Sequence, residues 1–212
     1  MAQLFAIHPR DPQPRLVRQA GAILRAGGVV VYPTDSCYAF GCHLGDKAAM
    51  QRIRELRGVD ERHHFALVCR DLAEVATYAR VNDVQFRLMK SAVPGSYVFI
   101  LLATREVPRR LQHPRRKTVG VRIPDHAVAL ALLAELGEPM VSSTLILAGH
   151  SEPLDDIEVM RERVGRQVDL IIDSGPCGTV PTTVIDLTGE VPAITRAGRG
   201  DTTIFGAADG RR

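Results

Sequence analysis

The sequence predicts one α/β domain: a mixed β-sheet with helices on its faces and a ligand-binding concavity at its strand ends. Three observations predict it. Amphipathic helical periods alternate with short runs of β-formers along most of the 212 residues. Strand-like runs then cluster toward the C-terminus, a change of rhythm that a purely parallel sheet does not produce. Hydroxyl-rich loops and arginines stand where these runs end, and ligands of α/β sheets bind at strand ends.

The elements follow in chain order. Residues 15–26 read as a helix, with Leu16, Ala20, Ile23 and Leu24 on one face and Gly27-Gly28 stopping it. Val29 to Tyr32 is a buried strand that ends at Pro33, which has no N–H to give a ladder. Asp46 caps a helix that reaches Arg57 before Gly58. Phe65 to Cys69 is a strand and Asp71 to Ala79 a helix. Asn82 caps the next helix, to Ala92, and Pro94-Gly95 closes it. Strand Tyr97 to Leu102 precedes an irregular basic segment, 105–117. Strand Thr118 to Ile123 ends at Pro124, followed by helix Asp125 to Leu136 and strand Met140 to Ser143. Asp155 caps a helix to Val164. Leu170 to Asp173, Thr183 to Leu187 and Ala193 to Arg196 are strands, and the tail 201–212 reads as loose. The whole chain, 1–212, reads as a single domain with its core at about 15–200.

Bulk properties exclude several classes. A hydrophobic fraction of 45% and a charged fraction of 24% are those of a globular chain, not a disordered or fibrous one. The net charge of +3 permits an anionic ligand without demanding one. Cys37, Cys42, Cys69 and Cys177 fit no zinc or C-x-x-C spacing and read as free thiols. No apolar leader or membrane-length run is present, so the expected setting is the cytoplasm, with no membrane partner.

The familiar nucleotide and hydrolase motifs are absent: no P-loop, no complete G-x-G-x-x-G, no G-x-S-x-G and no H-E-x-x-H. His63-His64 is the only histidine pair, and adjacent residues of a regular element do not share a face, so no metal site is expected. What remains is a set of strand-end segments. Pro33-Thr34-Asp35-Ser36-Cys37-Tyr38 offers loop amides and hydroxyls to an amino-acid or phosphate group, or forms a plain turn with local hydrogen bonds. Arg54 and Arg57 share a helix face and suit phosphate oxygens, or are a solvated face balanced by Glu55 and Glu61. Arg122 shares a sheet face with Gly120, which leaves room for an anion, and an internal carboxylate would satisfy it equally well. Ser142-Ser143-Thr144, the loop from Gly175 to Thr183, and Arg196 with Gly198 and Gly200 complete an anion-lined cavity with no evident nucleophile.

The order of these segments resembles the YrdC-like family, best known for threonylcarbamoyl-AMP synthases, and its shorter YciO-like branch. The likeness covers about residues 15–200. It is carried by Pro33 to Phe40, Pro94-Gly95, Val119 to Pro124, Asp173-Ser174-Gly175, Thr182 to Leu187 and Arg196-Ala197-Gly198, with Ile7-His8-Pro9 fitting the branch. The resemblance implies a YrdC-like twisted mixed β-sheet with a basic concave cavity. It implies an enzyme of nucleotidyltransferase type that condenses L-threonine, bicarbonate and ATP, with Mg2+ accompanying ATP, to threonylcarbamoyl-AMP and pyrophosphate for tRNA threonylcarbamoyladenosine modification. It assigns Thr34, Ser36, Tyr38, Arg122, Thr182 and Thr183 to the substrate, and Arg54, Arg57, Ser142, Thr144 and Arg196 to the nucleotide.

The chain departs from the family pattern. Its Lys-x-Arg signature falls on Arg57-Gly58-Val59 and its next histidine on Cys69. The asparagine of its Ser-x-Asn signature becomes Ile146. Ile146 cannot hydrogen-bond a phosphate, so weakened activity is expected. Two alternatives stand beside this reading. One is a protein that binds tRNA or double-stranded RNA through Arg109, Arg110, Arg115, Arg116 and Lys117 without strong catalysis. The other is a related nucleotidyl or carbamoyl transfer on another small acid.

Overall fold

The structure, a computed structural model, describes residues 1–61 and 63–206. One mixed sheet runs through it. Its strands are β1 (Gln3–Ala6), β2 (Val30–Tyr32), β3 (Ala39–His43), β4 (Ala66–Val68), β5 (Ala79–Arg80), β6 (Tyr97–Ala103), β7 (Thr118–Arg122), β8 (Met140–Thr144), β9 (Leu170–Asp173), β10 (Thr183–Asp186) and β11 (Ala193–Arg196). The order across the sheet is β1-β9-β2-β3-β8-β4-β7-β6-β10-β11, with β5 against β6. Parallel and antiparallel pairings are mixed along it: β1-β9-β2 are parallel, β2-β3-β8-β4 antiparallel, and from β4 to β11 the two kinds alternate.

The helices are α1 (Pro14–Arg25), α2 (Lys47–Arg57), α3 (Leu72–Tyr78), α4 (Asp83–Lys90), α5 (Ala127–Leu136) and α6 (Ile157–Val164). Among the described residues none is long and apolar enough to cross a membrane. Their ends follow the sequence chemistry. The Asp46 carboxylate accepts from Ala49 N, and Gly58 closes α2 at φ +63°. Asn82 and Gln85 form a reciprocal capping box on α4. The sixth helix differs by one residue: Asp156, not Asp155, caps it. Asp155 instead accepts from the amides of Cys177 and Gly178 at 2.7 and 3.0 Å, which fixes the loop across the sheet.

Period-2 alternation divides the core. Val29, Val31, Phe40, Leu67, Phe99, Val119, Val121, Val141 and Ile185 point to one face, with Met50, Ile53 and Met160 from the helices on that side. Val30, Tyr32, Ala39, Val68 and Met140 point to the other, under Val17 and Leu24 of α1 and Val128 and Leu132 of α5. That second face is covered only in part. Beyond α5, Ala66 of β4, Gly120 of β7, Val98 and Ile100 of β6 and Val184 of β10 are only half-buried. This uncovered stretch is the floor of the site.

The expected loose tail begins differently. Residues 203–205 form a short 3-10 turn, and Phe205 is buried against the rings of Tyr97 and Phe99. The remainder of that tail, 207–212, lies outside the described residues.

Candidate functional site

Above the bare floor lies a cavity of about 360 Å3, within the ~300–1,000 Å3 of small-molecule sites. Its apolar wall is Val98, Ile100, Val184, Leu111 and Phe65. Gly120 keeps that floor open, since a Cβ there would stand 3.1 Å from Val98 Cγ1, a tight contact. Four arginines line the cavity: Arg57, Arg116, Arg122 and Arg196. Three histidines line it too, yet none of its lining residues is aspartate or glutamate.

The loop after β2 forms one end. It is the connection of an antiparallel hairpin, since Tyr32 pairs with Ala39. The Thr34 hydroxyl donates to Cys37 O at 2.6 Å and accepts from the amides of Ser36 and Cys37. Thr34 is therefore spent on holding the turn, and it does not line the cavity. Ser36 and Tyr38 do line it. The Tyr38 hydroxyl donates to Gly175 O at 2.7 Å, tying the hairpin to the next loop. Cys37 also lines the cavity, but burial pushes its thiol up to about 11, with Arg122 opposing. A neutral thiol at pH 7 is a poor nucleophile. All four cysteines are free.

Arg122 projects from β7 beside Gly120. Its anion is internal: Asp35 Oδ1 lies 2.6 Å from Arg122 Nη2. Ser96 Oγ donates to Asp35 Oδ2 at 2.6 Å, and Asp125 N donates to Oδ1 at 3.1 Å. Burial opposes ionisation of Asp35, but Arg122 and Ser96 outweigh it and hold the carboxyl below its ordinary value. Arg122 Nε is buried without a partner.

Arg57 and Arg196 have no carboxylate partner among the described residues. Arg57 hydrogen-bonds Ser143 Oγ, and its Nε is buried and unpartnered. Burial, then repulsion from Arg196, pushes Arg57 down to about 10, so it remains charged at neutral pH. Arg196 is anchored by Thr182, whose carbonyl accepts at 2.8 and 3.0 Å and whose hydroxyl accepts at 2.9 Å. His63 Nε2 lies 3.0 Å from Ser143 Oγ. Burial and the nearby Arg57 push His63 down to about 4, so it is neutral at pH 7. The rings of His64 and His113 meet at 4.9 Å and bridge two segments at the cavity.

The structure therefore gathers Ser36, Tyr38, Arg57, Arg122, Ser142, Thr144, Thr182 and Arg196 around one space. It leaves others out. Thr183 points to the opposite face, donating to Gly200 O and accepting from Gly198 N. Arg54 lies with its guanidinium 5.0 Å from the Phe65 ring centroid instead of lining the cavity. In the basic segment only Arg116 reaches the cavity, held by Asp186 and Thr188. Arg110 hydrogen-bonds Gly45 O, and Arg109, Arg115 and Lys117 lie off the lining. Of the two substituted signature positions, Ile146 lines the cavity and Val59 does not. Cys69 is fully buried elsewhere, and histidines enter instead through His63, His64 and His113. Sequence reasoning discounted His63-His64 as a pair on a regular element, whereas their segment is irregular and presents both rings to one space.

The donor set does not fit a resident Mg2+. That ion favours oxygen ligands with at least one carboxylate, and the lining offers only hydroxyls and imidazoles. Among the described residues no group of three or more histidines, cysteines or acids is placed to hold a metal.

Comparison with known proteins gives consistent matches. The model of the Sua5/YciO/YrdC family, described as telomere recombination, matches residues 22–198. The Escherichia coli protein YciO is 53% identical over 97% of this chain and 100% of its own, and its crystal structure superposes with a TM-score of 0.93. The mouse threonylcarbamoyl-AMP synthase is 32% identical over 81% of this chain and 62% of its own. The crystal structure of P. abyssi Sua5 complexed with L-threonine superposes with a TM-score of 0.84 at 26% identity, over 92% of this chain and 57% of that one.

Proposed function

The chain belongs to the Sua5/YciO/YrdC family, and from that membership and its acid-free cationic cavity we propose a threonylcarbamoyl-AMP synthase-like nucleotidyltransferase. The observation that carries the reading is the charge of the lining: it holds no carboxylate, and two of its four arginines, Arg57 and Arg196, have no carboxylate partner among the described residues. Such a space rejects an ammonium group and takes anions. Threonine suits it only after its amine has combined with bicarbonate, with loss of water, to give a carbamate. The carbamate oxygen then attacks the α-phosphorus of ATP. The bond from that phosphorus to the bridging oxygen breaks, and pyrophosphate leaves with the electron pair.

Each residue has a part in this scheme. Arg122 and Ser36 face the amino-acid portion. Arg57 and Arg196 neutralise phosphate oxygens, and the apolar wall of Val98, Ile100 and Val184 takes the base. The chain supplies placement and fixed positive charge, not a nucleophile. Magnesium would enter on the phosphates of ATP, and no step runs through a protein-held ion. The product is the activated intermediate of tRNA threonylcarbamoyladenosine modification.

Ile146 replaces a polar group in the lining, so turnover is reduced. Losing one preorganised donor typically lowers a rate by about 10²–10³-fold. The test is pyrophosphate release from ATP, measured with threonine and bicarbonate both present and each omitted. Release that needs all three supports the proposal. Tight ATP binding with no release above buffer overturns it. The alternative reading as an RNA-binding module rests on Arg109, Arg115 and Lys117, which stay exposed, while Arg110 and Arg116 are engaged internally.

A further inference from the structure

Arg57 does not face the cavity alone. Its guanidinium donates to Ser143 Oγ, and His63 Nε2 lies 3.0 Å from the same oxygen. Ser143 is buried, and all three residues line the cavity. The Phe65 ring meets the imidazole edge-on, with centroids 5.5 Å apart and planes at 89°, which fixes its orientation. A guanidinium only donates. Ser143 therefore accepts from Arg57, and its own proton is left for His63 Nε2. The charges that act on the ring come from two segments. α2 brings Arg57 and Arg54, and the loop that holds His63 brings His64 and Asp60. Burial is the largest force against a proton on His63 and Arg57 the next, while Asp60 alone favours one.

We propose that His63 is an anion-coupled proton site: a phosphate-class dianion that settles against Arg57 brings one proton from solvent to His63, and Ser143 then turns its hydroxyl toward the ligand. The inference rests on the reading of this space as a phosphate site. The dianion offsets the repulsion from Arg57 and adds an attraction of its own. An opposite charge within ~4–6 Å favours the charged form of a titrating group. Once protonated, Nε2 donates instead of accepting. Ser143 Oγ then receives Arg57 and His63 together, and its proton is free for an oxygen of the ligand. Proton, hydroxyl and anion move as a set. His63 is in this sense a positioning residue that acts through Ser143.

Sulfate tests this without turnover, because it stays a dianion between about pH 5 and 8, where histidines titrate. The imidazole C–H signals of the full-length protein are followed by NMR against pH. A midpoint of about 4, absent from His63→Gln, is expected without sulfate. Saturating sulfate raises it by about 2 units. Calorimetry reads the reciprocal effect: sulfate binds about tenfold more tightly at pH 5 than at pH 7. In His63→Gln that ratio falls to about twofold or less, while circular dichroism and the affinity at neutral pH are kept. Loss of affinity at every pH would mark a merely structural role. Ser143→Ala weakens sulfate more at low pH than at neutral pH, since only there does the hydroxyl face the ligand. Three results overturn the proposal: a midpoint that sulfate leaves in place, a pH dependence that survives in His63→Gln, or no saturable sulfate binding. Pyrophosphate release, measured on the same preparation, separates these failures from failure of the synthase reading.

Discussion

Replacing Asp35 by alanine removes the only carboxylate among the described residues that neutralises Arg122. The two side chains are 11% and 8% exposed, so the pair is buried on both sides. Breaking a buried pair from one side typically costs about 3–5 kcal/mol, because a desolvated charge is left behind. The Ser96 hydroxyl and the Asp125 amide lose their acceptor as well. For a chain of this size, ~3–5 kcal/mol corresponds to a fall in Tm of about 6–20 °C. Urea denaturation reads it as a lower midpoint at an unchanged slope. Asp35→Ala/Arg122→Met, which removes both charges, recovers at least ~1 kcal/mol relative to additivity. Inorganic phosphate, pairing with the released guanidinium, stabilises Asp35→Ala more than the wild type. A loss below ~1 kcal/mol, or strictly additive single and double variants, would refute the reasoning.

The remaining predictions concern the cavity and its surroundings. Arg57→Ala and Arg196→Ala each weaken AMP binding by about 10–100-fold, read by calorimetry, since each removes a charge-assisted contact. Ile146→Asn raises threonine-dependent pyrophosphate release, while Val59→Arg, off the lining, leaves it unchanged. Stability falls as pH drops from about 6.5 to about 4, the ordinary and folded values of His63, because only the unfolded chain then takes up that proton. Asp35 and Asp186, both held below 3.8, add a further loss as pH falls beneath that value, because the unfolded chain takes up those protons before the folded one does. Urea midpoints across this range measure both slopes. Gly200→Ala destabilises by about 1–3 kcal/mol, read by thermal melting, because its Cβ would stand 2.3 Å from the Tyr97 ring.

The helices were legible because their signals are local. Asp46, Asn82 and Gly58 act within one turn of the residues they cap. Central strands such as Thr118–Arg122 were legible from alternation, and the same alternation put Arg122 on the face of Gly120. β3 was not, since Ala39–His43 contains Gly41 and follows a loop with strong turn chemistry. Only its pairing with β2 and β8 makes it a strand. β1 escaped for a related reason: it is an exposed edge strand whose identity comes from β9, more than 160 residues along the chain. The site divides in the same way. Arg122, Ser36 and Arg196 stand at strand ends that the pattern reveals. Thr183 was misplaced by a one-residue ambiguity that sends a side chain to the opposite face. His64 and His113 meet through two irregular segments, and no local signal announces that contact.

Asp35 Oδ1 receives both the Arg122 guanidinium and the backbone amide of Asp125. One oxygen atom therefore joins two contacts. If an anion in the arginine-lined cavity draws Arg122 away from it, the hold on Asp125 changes, and the effect must run equally in reverse. Thermodynamics allows no one-way version of such a junction: whatever factor one contact imposes on the other, it receives back. The hairpin turn is in that sense a balance beam between the arginine-lined cavity and the backbone that leads into α5.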